Sequence, residues 1–209
     1  GSWYHYPVPK TEPKEAHLIF ISHLHPDHYD PLFINKFQAT TRADIIIQDR
    51  KHNLLKKMME RDGLNAEPWT RLTIGETEIQ IIPDTESMYG IDSALIVKHG
   101  NETLLNLNDV VLSESSVKKF QEACPDLTCA LINYQAASPF PQQYLDVHDP
   151  RMLGLAAEKH RMNLLRYLGT EELLRPKVSL AFAGQYLLGG KNFYLNPFRG
   201  CGDDTDLLN

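Results

Sequence analysis

Little in this sequence invites a disulfide, a nucleic acid or a membrane. Only three cysteines occur in 209 residues, Cys124, Cys129 and Cys201. They are odd in number and lack the regular spacing of a bridged scaffold, so a small secreted disulfide fold is excluded and a reducing compartment is the expectation. Cys124 and Cys129 have no second pair with which to build a zinc clamp and read as plain structural cysteines. Positive charge is short: 21 Lys and Arg stand against 27 Asp and Glu, for a net charge of −6. Long nucleic acids and acidic lipid surfaces are recognised through basic faces, so neither is the expected partner. No apolar run approaches the roughly 20 residues that span a bilayer, and the opening residues show no secretory-leader pattern. No transmembrane segment and a cytoplasmic location are expected. Repeats, low-complexity linkers and breaks in composition are also missing, which predicts one domain over residues 1–202 followed by an acidic tail at 203–209.

What remains is an ordinary globular balance, 42% hydrophobic and 23% charged, in a chain long enough to bury one substantial core. Short β-branched runs predict strands at 17–22, 44–48, 72–74, 78–82, 127–133 and 177–182. A hairpin is expected between 93–98 and 103–107, across His99-Gly100-Asn101. Helical patterns begin at Pro31 and fill 51–62, closed by Gly63, and 115–123, with Ser113 or Ser115 as N-cap. The longest helix is expected over 150–168, ended by Gly169. Alternating strands and helices of this kind predict an α/β layered domain.

The informative segment is HLHPDH, residues 23–28, at the end of the first predicted strand. His23 and His25, two apart on extended chain, project to the same side. Asp27 and His28 follow where Pro26 turns the chain. Three imidazoles and a carboxylate within six residues form a nitrogen and oxygen donor set that suits zinc, iron or manganese. A polar loop with incidental histidines is the plainer alternative, but a buried strand feeding the cluster is the context a metal site requires.

HLHPDH resembles the H-x-H-x-D-H signature of the metallo-β-lactamase superfamily. That resemblance implies an αββα four-layer sandwich with a metal centre between its sheets. It assigns His23 and His25 to one metal, Asp27 and His28 to a second, and a bridging role to a later aspartate after an apolar strand. LLNLND, residues 104–109, fits that description and makes Asp109 the expected bridge. Residues 91–97 resemble the strand that precedes the bridging aspartate, and LLNLND, QAASP at 135–139 and AFAGQY at 181–186 resemble a subgroup. It includes the lactamase-like domain of CMP-N-acetylneuraminate hydroxylase and, more distantly, N-acylphosphatidylethanolamine-hydrolysing phospholipase D. In the phospholipase a histidine precedes a similar Asp-Pro and helix. This marks His148 as a candidate catalytic proton donor beside Asp27, which would orient water; a helix-entry histidine without function is the alternative.

The sequence departs from the family pattern in three places. Ser87 and Met88 stand where another histidine ligand is expected, and Phe182 stands where the last one would fall. Only about twenty residues precede the motif, so the N-terminal strands of the sandwich are expected to be lacking. A preceding segment or a second subunit would then complete the sheet. Asp84 and Asp92 flank the first missing histidine and read either as substitute ligands or as strand-end caps. Trp3, Tyr4 and Tyr6 read as pocket wall or core packing. The leading functional expectation is a metal-dependent hydrolase holding one or two divalent ions, zinc foremost. It would turn metal-activated water on an ester, lactone or phosphodiester of a small-molecule substrate. The alternatives are an iron-dependent oxidoreductase component resembling a sugar-nucleotide hydroxylase, and a degenerate domain kept for binding.

Overall fold

The structure is a computed structural model and describes residues 10–11, 13–84, 91–135, 137–183 and 185–202. Ser87, Met88, the aromatics Trp3, Tyr4 and Tyr6, and the tail 203–209 lie outside these residues. The chain forms two compact units, one of Gly1–Asn101 with Asp109–Val111, the other of Glu102–Asn108 with Leu112–Asn209.

The first unit starts with a parallel trio in the order β1 (Leu18–Ile21), β2 (Asp44–Gln48), β3 (Ala66–Trp69). Helix α1 (Pro31–Thr41) connects β1 to β2, and α2 (Leu54–Arg61) connects β2 to β3. The isoleucine run of β2 serves two faces at once, as a period of two dictates. Ile45 and Ile47 pack with Ile34 of α1 and Leu55 and Met59 of α2. Ile46 packs the other way, against Ile79 and Ile81. Those two belong to an antiparallel run of β4 (Arg71–Ile74), β5 (Thr77–Pro83) and β6 (Ser93–His99). The unit is therefore three layers deep, helices on sheet on sheet. Gly63, at φ 78°, ends α2 in the left-handed conformation that its missing Cβ permits. Strand β3 was not expected from its AEPW sequence, since Pro68 argues against a strand interior. It pairs with β2 and with no other strand of its sheet, which is the edge position where proline is tolerated.

The second unit holds a parallel trio of β7 (Glu102–Asn106), β8 (Cys129–Asn133) and β9 (Val178–Phe182). Helices α3 (Glu114–Ala123) and α4 (Met152–Leu174) belong to the same unit, with a 3-10 helix at Gly190–Phe198 that gave no signal in the sequence. Ser113 caps α3, its hydroxyl accepting from the Ser116 N–H. Helix α4 runs past Gly169, where it was expected to end. A single glycine costs a helix only about 1 kcal/mol, and buried Tyr167, Thr170 and Leu174 carry the packing through it. The stop comes at Arg175, left-handed at φ 49°, followed by Pro176, which cannot continue a helix. Among the described residues no helix is long and apolar enough to cross a membrane.

Candidate metal centre

Strand β1 feeds a short, tightly held loop. Ser22 and His23 are buried as the strand ends. The His25 carbonyl then accepts from the N–H groups of His28 (2.9 Å) and Tyr29 (2.8 Å), closing one turn around Pro26. Tyr29 sinks into the core between α1 and α2, and its hydroxyl donates to Asp62 Oδ2 at 2.8 Å. Burial pushes the Tyr29 pKa up, and the neighbouring Asp62 carboxylate adds to the rise. Asp30 caps α1, its side chain accepting from the Leu32 and Phe33 N–H groups, and Pro31 occupies the first turn, where its missing N–H costs nothing. Both ends of the histidine loop are thus fixed.

Inside this frame the ring nitrogens are directed. His23 Nδ1 lies 3.0 Å from Asp92 Oδ1. Ser22 Oγ lies 3.0 Å from the same Nδ1. Because an ionised carboxylate only accepts, the Asp92 contact favours the tautomer with its proton on Nδ1 and the Nε2 lone pair turned into the loop. There Nε2 lies 2.8 Å from His25 Nδ1 and 3.7 Å from Asp109 Oδ2. His28 is held on its Nδ1 side by Ser22 Oγ, 3.3 Å away. Its Nε2 lies 3.4 Å from the same Asp109 Oδ2 and 3.8 Å from Asp27 Oδ2. Asp109 follows Asn108, which is left-handed at φ 50°, a conformation asparagine tolerates better than most residues. Its own N–H donates to Asp92 Oδ2 at 2.8 Å. Burial draws the His28 pKa down, but the hydrogen bond to Asp109 and the charges of Asp109, Asp27 and Asp92 outweigh it and leave it raised.

Three of the five expected ligands therefore come together outright. Donor atoms of His23, His25 and Asp109 all lie within 4.8 Å of one another and could hold a metal ion. His28 adjoins them through Asp109, and Asp27, which is exposed, reaches the group through His28. Imidazole nitrogen with carboxylate oxygen, and a His23 lone pair turned inward, fit a divalent cation. Asp84 is buried, and its charge acts with that of Asp92 on Arg50, whose pKa burial lowers. It does not belong to the donor group. His148 stands in the second unit, exposed, with its backbone N–H bonded to Asp146 Oδ1. Phe182 ends β9 in that same unit. The contribution of Ser22 was not foreseen, and the sequence alone reads Asp92 as ligand or strand-end cap, without its contact to His23. Spacing could not have shown them, because Asp92 meets His23 and Asp109 only through the fold.

No protein-family model matches the sequence, and neither does any curated protein. Solved structures do. CmlA, a diiron β-hydroxylase from Streptomyces venezuelae, superposes with a TM-score of 0.59 at 14% identity, covering 98% of this chain and 43% of that one. A point mutant of the same hydroxylase gives 0.60 at 16% identity, over 94% of this chain and 41% of that one. Isothiocyanate hydrolase from Delia radicum gut bacteria gives 0.53 at 16% identity, over 80% and 62%. This chain has the metallo-β-lactamase fold. It spans less than half the length of the hydroxylase chains it matches. His23 and His25, in the loop after β1, and Asp109, after β7, are the residues whose donor atoms lie within 4.8 Å of one another.

Proposed function

We propose that the chain carries the metal centre of a hydrolase acting on an ester, lactone or phosphodiester of a small molecule. One observation supports this above the others: a single carboxylate oxygen, Asp109 Oδ2, faces both His23 Nε2 and His28 Nε2. His23, His25 and Asp109 would hold one divalent ion, and His28 and Asp27 would hold a second that shares Asp109. Zinc is the expected ion, with iron or manganese as alternatives. Such an ion supplies Lewis acidity, polarising the scissile oxygen and lowering the pKa of water toward neutrality. Asp27, exposed and at the rim of the cluster, would orient the attacking water with the carboxylate oxygen it does not give to the metal. The name of the isothiocyanate hydrolase points the same way, and hydrolysis needs no reactant beyond water.

The test is elemental mass spectrometry of freshly purified protein, followed by a panel of ester, lactone and phosphodiester substrates. Stoichiometric zinc or manganese with turnover that Asp27→Asn reduces by about 10²-fold or more supports the proposal. Metal-replete protein inert on every substrate class counts against it. One observation favours a second reading, an iron-dependent oxidoreductase component: the structure matched over 98% of this chain is a diiron β-hydroxylase. Iron as the copurified metal, with dioxygen uptake in the presence of an electron donor, would put that reading first.

A further inference from the structure

We infer that Asp92 is the positioning residue of this centre, setting the tautomer of His23 and seating Asp109 with one carboxylate. The inference rests on the metal reading proposed above and assigns Asp92 no ligand role. Asp92 Oδ1 receives the Ser93 N–H at 2.7 Å and His23 Nδ1 at 3.0 Å. Its Oδ2 receives the Asp109 N–H at 2.8 Å. Its backbone carbonyl accepts from the Arg50 guanidinium at 2.7 Å and from the Asp84 N–H at 2.9 Å. Only 5% of the residue is exposed, so this carboxylate is locked and its acceptors are committed.

These contacts reach both halves of the donor group. Asp92 meets His23 at Nδ1, whereas His25 and Asp109 meet the ring at Nε2. Ser22 Oγ shares the Nδ1 side of the ring at 3.0 Å. A hydroxyl can donate or accept whereas the carboxylate only accepts, so Asp92 is the group that fixes which nitrogen offers a lone pair, the usual service of a carboxylate behind a metal-ligating imidazole. The other oxygen tethers the backbone of Asp109, so the nitrogen and oxygen donors are registered to each other through one side chain. Ser93 strengthens the frame, its hydroxyl donating to the Ser22 carbonyl at 3.0 Å.

A strand-end cap that merely satisfied backbone would tolerate an amide poorly but would leave the His23 ring indifferent. Positioning predicts something sharper. In Asp92→Asn the NH2 group must face either the Asp109 N–H or the side shared by Ser93 and His23. The first choice releases Asp109. The second forces His23 to carry its proton on Nε2, where it blocks a ligand.

The deciding measurement is long-range ¹H–¹⁵N NMR of the histidine rings in metal-free protein at about pH 8, above the ordinary histidine range. Zinc affinity is measured alongside by chelator competition, for wild type and Asp92→Asn at a temperature where circular dichroism shows both folded. The expected result is a His23 protonated on Nδ1 in the wild type and zinc binding about 10- to 100-fold weaker in the variant. A wild-type His23 protonated on Nε2, or a folded variant that binds zinc within about twofold of wild type, overturns the inference, since loss of such a partner costs about tenfold or more. If Asp92→Asn does not fold, the wild-type tautomer decides alone. If wild type binds no zinc, manganese or iron, the functional proposal fails, and the tautomer still judges the arrangement around Asp92.

Discussion

The two units bury polar groups for different ends. In the first, Ser22, His23, Asp92 and Ser93 are all nearly inaccessible, and their hydrogen bonds lead to one another and to the ring nitrogens of the donor group. In the second, several buried or half-buried polar side chains are spent largely on backbone, although Gln142 also donates to the Tyr186 hydroxyl at 3.1 Å. Gln142 Nε2 donates to the Ser138 carbonyl, and Gln135 Nε2 to that of Gly202. Lys159 gives its three protons to the carbonyls of Ser138, Phe140 and Arg199. Burial lowers the Lys159 pKa, yet those bonds keep it a clamp on two loops. Convergence on titratable atoms marks a place built for chemistry, while dispersal onto carbonyls marks stitching. Burial alone would not have told the two apart.

The sharpest way to break this comparison is to remove the convergent atoms. His23→Ala/His25→Ala should abolish copurified metal while the protein remains folded by circular dichroism, and His148→Ala, in the second unit, should leave metal content unchanged. Elemental mass spectrometry reads both. A double variant that keeps its metal would place the site elsewhere. The converse experiment strikes the second unit. Gly200 is left-handed at φ 63°, and a Cβ there would meet the Ala156 carbonyl oxygen at 2.6 Å. Gly200→Ala should cost about 1–3 kcal/mol from the backbone strain, read by urea denaturation, with the metal stoichiometry of the folded fraction intact.

The HLHPDH segment was legible because its chemistry is local: strand, turn and donors lie within a dozen residues. Strand β2 was legible to the residue, since an isoleucine run bounded by Asp44 and Asp49 admits little else. Asp109 was singled out through family resemblance, and its Oδ2 lies 3.7 Å from His23 Nε2. Three things were hidden. Asp92 offered two readings, ligand or cap, and only the fold could show that it caps two backbone amides and a ring nitrogen together. Strand β3 was hidden because pairing with β2 overrides the weak propensity of its own residues. The end of α4 was misplaced because a glycine was weighted as a terminator, whereas buried contacts beyond it hold the helix and Pro176 ends it.

A smaller effect sharpens the contrast within the first unit. The Tyr29 hydroxyl ties the histidine loop to Asp62, at the end of α2. Tyr29→Phe keeps the buried ring and removes one hydrogen bond, so about 0.5–1.5 kcal/mol of stability should be lost. Asp62 keeps its bonds to the Arg61 guanidinium, which favours the low end. Zinc affinity should fall with it only if the loop loosens. An unchanged affinity would show that the Asp92 side of the loop suffices to hold His23.

The smallest effect lies at the entry to α4, where a carboxylate meets cationic nitrogen from its own neighbourhood rather than an imidazole cluster. Asp149 accepts from the side chain and the backbone N–H of Arg151, and these hold its pKa down at about 2. Helix α4 has no side-chain N-cap bond, and a negative charge near the first turn is favourable there. The sign follows from the two states. An unfolded aspartate titrates near about 3.9, so the contribution to stability is complete above that value and disappears as pH falls through the folded value. Arg151→Ala removes the guanidinium but keeps the backbone N–H, so the pKa should rise only part of the way to that of a free aspartate, as followed by carbon-detected NMR titration. The energetic effect is muted by solvent screening at this surface. A pKa that does not move would mean the backbone amide alone holds the carboxylate, making this corner of the second unit one more place where polar side chains serve the main chain.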